Sequence, residues 1–262
     1  MIVSFCVMKD KDHQGKSSRL QKVFDHVYLL QFDNQYELNM HFLRLQEFYE
    51  SVNQQFRGKQ FKILDYMQWY SVERAGCKGY FSYPDDWAGF NIPSHVFEDL
   101  YVKSTPQDMN DYDIHMIEVY ETLKHIEDTC QFYVIGSLYL NQVFEHEIAH
   151  ALFYIKPDYR REQLSNVSNL PEGVAAELRK TLMTEGYIED VVDDEIQAYL
   201  STGIGGSIYA KLIDLGYENS RRMKKLRKPF IDTFKCHDLS KDFRDKSLKG
   251  EAKLPRRKKC KG

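Results

Sequence analysis

The sequence predicts an α+β fold in which the strands lie mainly in the first half and the helices mainly in the second. Two apolar, β-prone runs, Val27–Phe32 and residues 131–140, indicate strands. Over residues 141–209, apolar side chains recur every three or four positions, the spacing of amphipathic helices. Early strands followed by later helices are typical of the α+β class.

The elements before residue 130 are predicted in order as a strand, a helix, a strand and a surface helix. After Val27–Phe32, an apolar stripe predicts a helix that ends near Gly58; its members are Leu38, Phe42, Leu45, Tyr49, Val52 and Phe56. Apolar residues at odd positions over 61–69 predict the next strand. Residues 79–93 predict a hairpin or an ordered loop whose aromatics either pack in the core or line a cleft, and residues 111–128 predict the surface helix.

The second half of the chain is predicted to be a series of helices. Helix breakers divide residues 141–209 at 156–157, at 169–171, at Gly186 and at 203–206. The sequence contains no internal repeat.

Composition favours a folded, soluble, intracellular protein. The 262 residues are 42% hydrophobic and 29% charged, with a mean hydropathy of -0.56. No run approaches the length of a membrane span, and the apolar start is too short for a signal peptide, so we expect a cytoplasmic or nuclear location. The five cysteines are odd in number and form no C-x-x-C pair, which argues against a disulfide framework and a cysteine zinc site.

Charge is divided unevenly along the chain. Of 36 basic and 39 acidic residues, 17 basic but only 5 acidic ones fall within residues 221–262. The basic residues cluster at 221–228 and 255–259, which predicts nonspecific contact with nucleic acid or another acidic partner. The alternative is a solvated helix face followed by a disordered end.

One motif carries chemistry. Residues 146–150 read H-E-x-x-H, and residues four apart on a helix share a face, so His146 and His150 can bind one zinc ion with Glu147 beside them as general base. The alternative is a pair of histidines held by ordinary hydrogen bonds. Such a pair on a largely apolar helix would leave buried polar groups without partners, whereas a metal would satisfy them.

A third ligand is expected downstream. Glu195 lies in the middle of an apolar stripe that includes Val191, Val192 and Tyr199, so its carboxylate faces inward and needs a cation. Glu172 is the other candidate, although a carboxylate at a helix start is expected without any metal. The neighbours Asp193 and Asp194 could accept a hydrogen bond from a ligating imidazole, and the small Ala198 would let this helix approach another closely.

Residues 146–151 (HEIAHA) resemble the active-site helix of zinc metallopeptidases of the zincin type. The metzincin pattern requires Gly at 153 and His at 156, where this chain has Phe153 and Lys156. Two histidines with a glutamate on a later helix resemble the gluzincins instead, and residues 195–199 are similar to the third-ligand helix of ImmA/IrrE-like small gluzincins. The resemblance covers about residues 131–203. The chain differs from the family pattern in the spacing of 45 positions from His150 to Glu195 and in lacking an obvious helix-turn-helix domain.

The resemblance implies a zincin-like fold and a zinc peptidase mechanism. Residues 1–220 would form one metallopeptidase domain, with a mixed α/β part at 1–130 and the active-site strand and helices at 131–220, followed by a basic tail at 221–262. Zinc would be held by His146, His150 and Glu195.

In this mechanism a metal-activated water hydrolyses a peptide bond, with Glu147 as general base. Tyr199 or Tyr154 would stabilise the oxyanion, or would simply pack in the core. The strand at 131–139 would be an edge strand that pairs with an extended peptide or protein substrate. The alternative function is a catalytically inactive zincin-like scaffold or binding protein whose basic tail contacts nucleic acid or another acidic partner.

Overall fold

A four-stranded mixed sheet lies at the centre of the structure. The structure is a computed structural model that describes residues 18–74, 79–127, 131–203 and 205–248. The strands are Ser18–Phe24 (β1), Val27–Phe32 (β2), Gly89–Pro93 (β3) and Tyr133–Ser137 (β4). Their spatial order is β1-β2-β4-β3. The β2–β4 pair is parallel, and the two outer pairs are antiparallel.

Twelve α-helices accompany the sheet in the described residues. Those before β4 are Gln35–Glu50 (α1), Ile63–Trp69 (α2), Tyr83–Asp86 (α3), Ser94–Phe97 (α4) and Asp111–Ile126 (α5). Those after β4 are Gln142–Ile155 (α6), Pro157–Ser168 (α7), Glu172–Glu185 (α8), Val192–Ser201 (α9), Gly206–Leu212 (α10), Ser220–His237 (α11) and Lys241–Leu248 (α12).

The α+β class is confirmed, as are β2, the helix α5 and the breaks between the later helices. Gly186 ends α8 at a φ of +100°, a left-handed conformation that glycine adopts without steric cost. The predicted strand at 131–140 is present as the shorter β4. The strand β1 was not predicted.

Two sequence predictions about local structure are wrong. The helix α1 ends at Glu50 instead of near Gly58, because the chain turns at Ser51. The predicted strand over 61–69 is absent, because Ile63–Trp69 form the helix α2. This helix begins where the Ile63 N–H donates to the Asp108 carboxylate at 2.9 Å, and it buries Tyr66 at helical spacing from the buried Tyr70.

The predicted edge position of residues 131–139 is also wrong. All five residues of β4 are buried, and β4 lies between β2 and β3. Alternate residues of β2 enter different apolar clusters: Tyr28 and Leu30 belong to the cluster of α1, whereas Leu29 belongs to the cluster that includes α6. Because both faces of the sheet are covered, the central strands are apolar at nearly every position.

The aromatic residues of the 79–93 segment divide between core and cleft. Tyr83 and Phe90 are buried in the core beside Phe42. Trp87 lies on the wall of the cleft described below. The segment therefore combines the short helix α3 with the strand β3.

The first basic cluster lies on α11, which packs against α7 and α9. Met223 and Phe230 are buried among the later helices, and the Arg227 side chain donates to the Leu200 carbonyl at 2.9 Å. This segment is therefore part of the packed helical layer, while the predicted domain boundary at residue 220 stays a prediction. The second cluster, at 255–259, lies outside the described residues.

Two further sequence observations concern membranes and cysteines. None of the helices in the described ranges combines the length and apolar composition needed to cross a bilayer. Cys236 is exposed with a free thiol, and the other four cysteines lie outside the described residues.

Helix α1 buries a carboxylate, Glu47, in the aromatic part of the core. Burial raises the pKa of Glu47 to about 7, although the hydroxyls of Ser51 and Tyr66 and the charge of Arg74 oppose the shift. The folded protein therefore favours the protonated carboxyl at pH values where an exposed glutamate is ionised.

We expect Glu47→Gln to gain stability relative to the wild type as the pH rises from 4.5 to about 7. In this range the native state binds a proton that the unfolded chain has released, so the wild-type free energy of unfolding falls with pH. The shift from 4.5 to about 7 corresponds to about 3 kcal/mol. Urea unfolding of both proteins across this range measures the effect, and a difference that stays constant with pH contradicts it.

Candidate metal centre

Helix α6 holds the H-E-x-x-H residues in a fixed orientation. The Asn141 side chain caps its first turn by accepting from the Val143 N–H at 3.0 Å. Phe144, Ile148 and Leu152 bury one face of the helix against the sheet. The adjoining face carries His146, Glu147 and His150 toward a cleft.

Helix α9 brings the third candidate ligand to the same cleft. Ala198 is fully buried, and its small side chain allows α9 to approach α6 closely. Gln197 ties the elements together: its amide donates to the Ala149 carbonyl at 3.4 Å, and its oxygen accepts from the Tyr159 hydroxyl at 2.7 Å. Glu195 consequently faces His146 and His150.

The three side chains converge on one point. Each offers one ligand atom, and these atoms lie within 4.8 Å of one another. The two Nε2 atoms of His146 and His150 are 3.1 Å apart, and each is 3.5 Å from an oxygen of Glu195. Glu172, the alternative third ligand, is exposed and is not part of this group.

The donor set fits a metal ion. Tetrahedral ligands at about 2.1 Å from an ion lie roughly 3.4 Å from one another, which matches these separations. Within the described residues, the buried Oε2 of Glu195 lies 3.5 Å from Nε2 of His146 but makes no hydrogen bond, so it lacks the close partner that a buried carboxylate oxygen requires. A cation would supply that partner.

Asp194 orients one of the histidines. Its Oδ1 lies 3.0 Å from Nδ1 of His150, so the ring can donate there and leave Nε2 free to ligate. Asp193, the other predicted acceptor, points elsewhere and pairs with Arg179 at 2.8 Å. The sequence did not distinguish the roles of these two adjacent aspartates, and the structure does.

The electrostatics of the cluster favour positive charge. Burial disfavours a charged imidazole at His150, but Asp194 and Glu195 outweigh it and raise its pKa well above the usual value. Burial disfavours an ionised Glu195, but His150 and His146 lower its pKa. The carboxylates therefore stabilise a cation placed among these side chains.

The proposed general base lies beside this cluster and is held from β3. Glu147 is buried, and its Oε2 accepts from the Asn91 amide at 2.6 Å. The Asn91 oxygen accepts in turn from the Tyr133 hydroxyl at 2.5 Å. A Cβ at Gly89 would lie 2.7 Å from Oε1 of Glu147, so glycine provides the space that this carboxylate occupies.

The sequence prediction did not find Asn91, Gly89 or Tyr133 as site residues. Asn91 lies 56 positions from Glu147 and 42 from Tyr133 in the sequence, and these residues meet because the sheet brings β3 and β4 beneath α6. No local pattern marks such a contact.

The two candidate tyrosines occupy different places. The Tyr199 ring lies 4.6 Å from the His146 ring, and its hydroxyl is 3.1 Å from that of Tyr187. Tyr154 instead places its hydroxyl 3.2 Å from Nδ1 of His95. Tyr199 lines the cleft, whereas Tyr154 is not among the lining residues in the described chain.

The metal cleft, as we call this space, has a volume of about 370 Å³. Its walls come from α1, the β3 segment, α6, α9 and the loops at Tyr187 and Gly203. It is therefore large enough for part of a peptide.

No protein-family model, curated protein or solved structure matches this chain. The likeness to the gluzincins thus stays a prediction from the motif and from the spacing of its residues.

We expect Asp194→Asn to weaken zinc binding about 10- to 100-fold, because the ring of His150 loses its charged acceptor. Calorimetric titration of the metal-free protein with Zn²⁺ measures the affinity. Asp193→Asn is the matched control, since it removes the same charge one position away and should change the affinity less than about twofold. Equal losses in both variants would show a general charge effect instead of an oriented histidine.

Proposed function

We propose that this protein is a zinc-dependent metallopeptidase. The observation that carries the proposal is the convergence of His146, His150 and Glu195 within 4.8 Å, with the buried Glu147 next to them. Two histidines and one glutamate with a fourth position open to a cleft are the ligand set of catalytic zinc sites. Imidazole and carboxylate donors suit this ion.

When bound, zinc would supply Lewis acidity to the scissile carbonyl and would lower the pKa of a water molecule. The His–His–Glu residues would hold it, and Asp194 would keep the His150 ring oriented. The chain supplies the remaining steps through its own side chains.

Glu147 acts as the general base in this proposal. Its carboxylate accepts a proton from the attacking water and returns it to the leaving amine. Burial raises the pKa of Glu147, while His146 and His150 oppose the shift, and a higher pKa makes the carboxylate a stronger base. Asn91 positions the carboxylate through its amide.

Tyr199 is the candidate donor to the developing oxyanion. Burial, followed by the charge of Glu195, raises its pKa to about 12, so the hydroxyl keeps its proton at neutral pH. Its neighbour Tyr187 also has a raised pKa, because of Glu195 and of burial. Each hydroxyl can therefore donate a hydrogen bond to a negatively charged oxygen.

The edge strand that would bind an extended peptide is β3. It is the outer strand beside α6, it carries Asn91, and residues Gly89 to Asn91 line the metal cleft. A peptide added to its open edge would run past Glu147 with backbone hydrogen bonds to the strand.

We expect Glu147→Gln to bind zinc like the wild type and to lose hydrolysis by about 10²- to 10⁴-fold, the typical contribution of a general base. We expect His150→Ala to lose both zinc and hydrolysis. Metal content of the purified proteins and cleavage of a peptide library measure the two properties.

The comparison of these two variants separates metal binding from catalysis. A folded wild-type protein that takes up no zinc, or a His150→Ala variant that keeps it, would overturn the proposal. Full activity in Glu147→Gln would overturn the role of the base.

The basic face of α11 favours a second candidate function, a nonenzymatic contact with nucleic acid. Its exposed residues are Arg221, Arg222, Lys224, Lys225 and Lys228. Lys224 and Lys225 have no hydrogen bond or ion pair within the described chain, whereas Lys228 pairs with Asp232. The opposite face is buried, so the charges project from a fixed surface.

We expect the double variant Lys224→Gln, Lys225→Gln to bind duplex DNA more weakly and to reduce the salt slope of binding by about 2, since each phosphate contact contributes about 0.9. Fluorescence anisotropy over a range of salt concentrations measures this slope. Lys59→Gln with Lys62→Gln removes the same charge elsewhere on the surface and serves as control. Identical effects of the two pairs, or no binding at low salt, would eliminate this function.

A further inference from the structure

The metal cleft contains a carboxylate that the proposed mechanism does not use. Glu50 is the last residue of α1 and lies on the cleft wall across from the helices that carry the ligands. Its Oε2 accepts a hydrogen bond from the Gln46 amide at 3.0 Å. Among the described residues, no Lys, Arg or His lies within ion-pair distance of it.

Three other acidic residues near the site have cationic partners. Asp194 pairs with His150, Asp193 with Arg179, and Glu145 with Arg244 at 3.0 Å. Glu50 differs from these three because its hydrogen-bond donor is a neutral amide, as it is for the proposed base Glu147. Glu50 is half-buried, and a cation brought by a ligand would stabilise its ionised form.

The lining of the cleft offers no such cation. In the described chain it contains three carboxylates, Glu50, Glu147 and Glu195, and no Lys or Arg. The histidines and Glu195 form the metal group, and Glu147 is the proposed base. Burial raises the pKa of Glu50 to about 8, and the charges of Glu195 and Asp194 add to the shift.

A side pocket adjoins the cleft at the position of Glu50. Gln46, Glu50, Trp87 and Tyr187 line both spaces. The side pocket has a volume of about 70 Å³. It can hold about five water-sized groups, as many as the non-hydrogen atoms of a lysine side chain.

The walls of the side pocket suit an alkyl chain that ends in a cation. Trp69, Tyr70, Trp87 and Tyr187 provide aromatic surface. The lining also includes Arg74, whose guanidinium donates to the Glu185 carbonyl at 2.9 Å and lies near Glu47. Of the carboxylates that line the side pocket, only Glu50 also lines the metal cleft in the described chain.

We infer that Glu50 is a specificity-determining residue that binds a primary ammonium group of the substrate, an inference that rests on the proposed peptidase function. The ammonium belongs either to a lysine side chain that enters the side pocket or to the free amino terminus of a peptide. Both sources provide a primary ammonium group, and the peptides described below distinguish one source from the other.

The test measures binding to the zinc-loaded Glu147→Gln variant, so it does not require turnover. The probes are capped pentapeptides of alanine with lysine or norleucine at the centre, and pentaalanine amide with a free or an acetylated amino terminus. Norleucine keeps the alkyl chain of lysine and removes its charge. The second substitution is Glu50→Gln, which keeps the possibility of a hydrogen bond with Gln46.

We expect either the lysine peptide or the peptide with a free amino terminus to bind at least about tenfold more tightly than its uncharged counterpart. The uncharged counterpart cannot form the hydrogen bond between charged groups. Glu50→Gln should abolish this preference and leave the affinity for the uncharged peptide unchanged. Glu145→Gln, outside the cleft, is the control for loss of one negative charge and should keep the preference. A preference for the lysine peptide would show that a lysine side chain enters the side pocket. A preference for the free amino terminus would show that Glu50 binds the terminal ammonium group.

The outcomes for this inference and for the proposed function differ. Equal binding of charged and uncharged peptides, or a preference that survives Glu50→Gln, would overturn the role of Glu50 even if the wild type hydrolyses peptides. Glu50-dependent selection without any hydrolysis by the wild type would refute the peptidase and leave this role intact. Absence of both binding and hydrolysis would overturn both.

Discussion

The contact between α6 and α9 is the interaction on which the site depends. Helix α6 alone can present two histidines, but a third ligand requires a second backbone at close range. Ala198 allows that approach, and Gln197 fixes it by bonding to the Ala149 carbonyl and to Tyr159 of α7. A larger residue at 198 would separate the helices and move Glu195 away from the histidines.

This contact has an electrostatic consequence. Placing Glu195, Asp194 and Glu147 in a buried region would be unfavourable without positive charge or hydrogen-bond donors. The protein provides the imidazoles for the first two and the Asn91 amide for the third. The oxygen of Glu195 that makes no hydrogen bond in the described chain is consistent with a cation as the last member of the group.

The sheet contributes by supporting α6 from below and by ending at β3 beside the cleft. The apolar sequence of β4 reflects the burial of both its faces. It does not show whether other strands pair along its edges, so it did not distinguish an internal strand from an edge strand. The same ambiguity affected residues 61–69, where a few apolar positions fit two periods equally well. Burial of Tyr66 and Tyr70 in the aromatic core decided for the helix.

The sequence by itself determined what depends on local periodicity. The H-E-x-x-H helix, the inward direction of Glu195 and the breaks between the later helices all follow from spacings of a few residues, and the structure contains them. The tertiary structure alone decided that Asp194 and not Asp193 contacts His150, that Asn91 holds Glu147, and that Glu50 reaches the same cleft. These contacts join residues far apart in the chain, and they arise from packing of whole elements, which leaves no repeating pattern in the sequence.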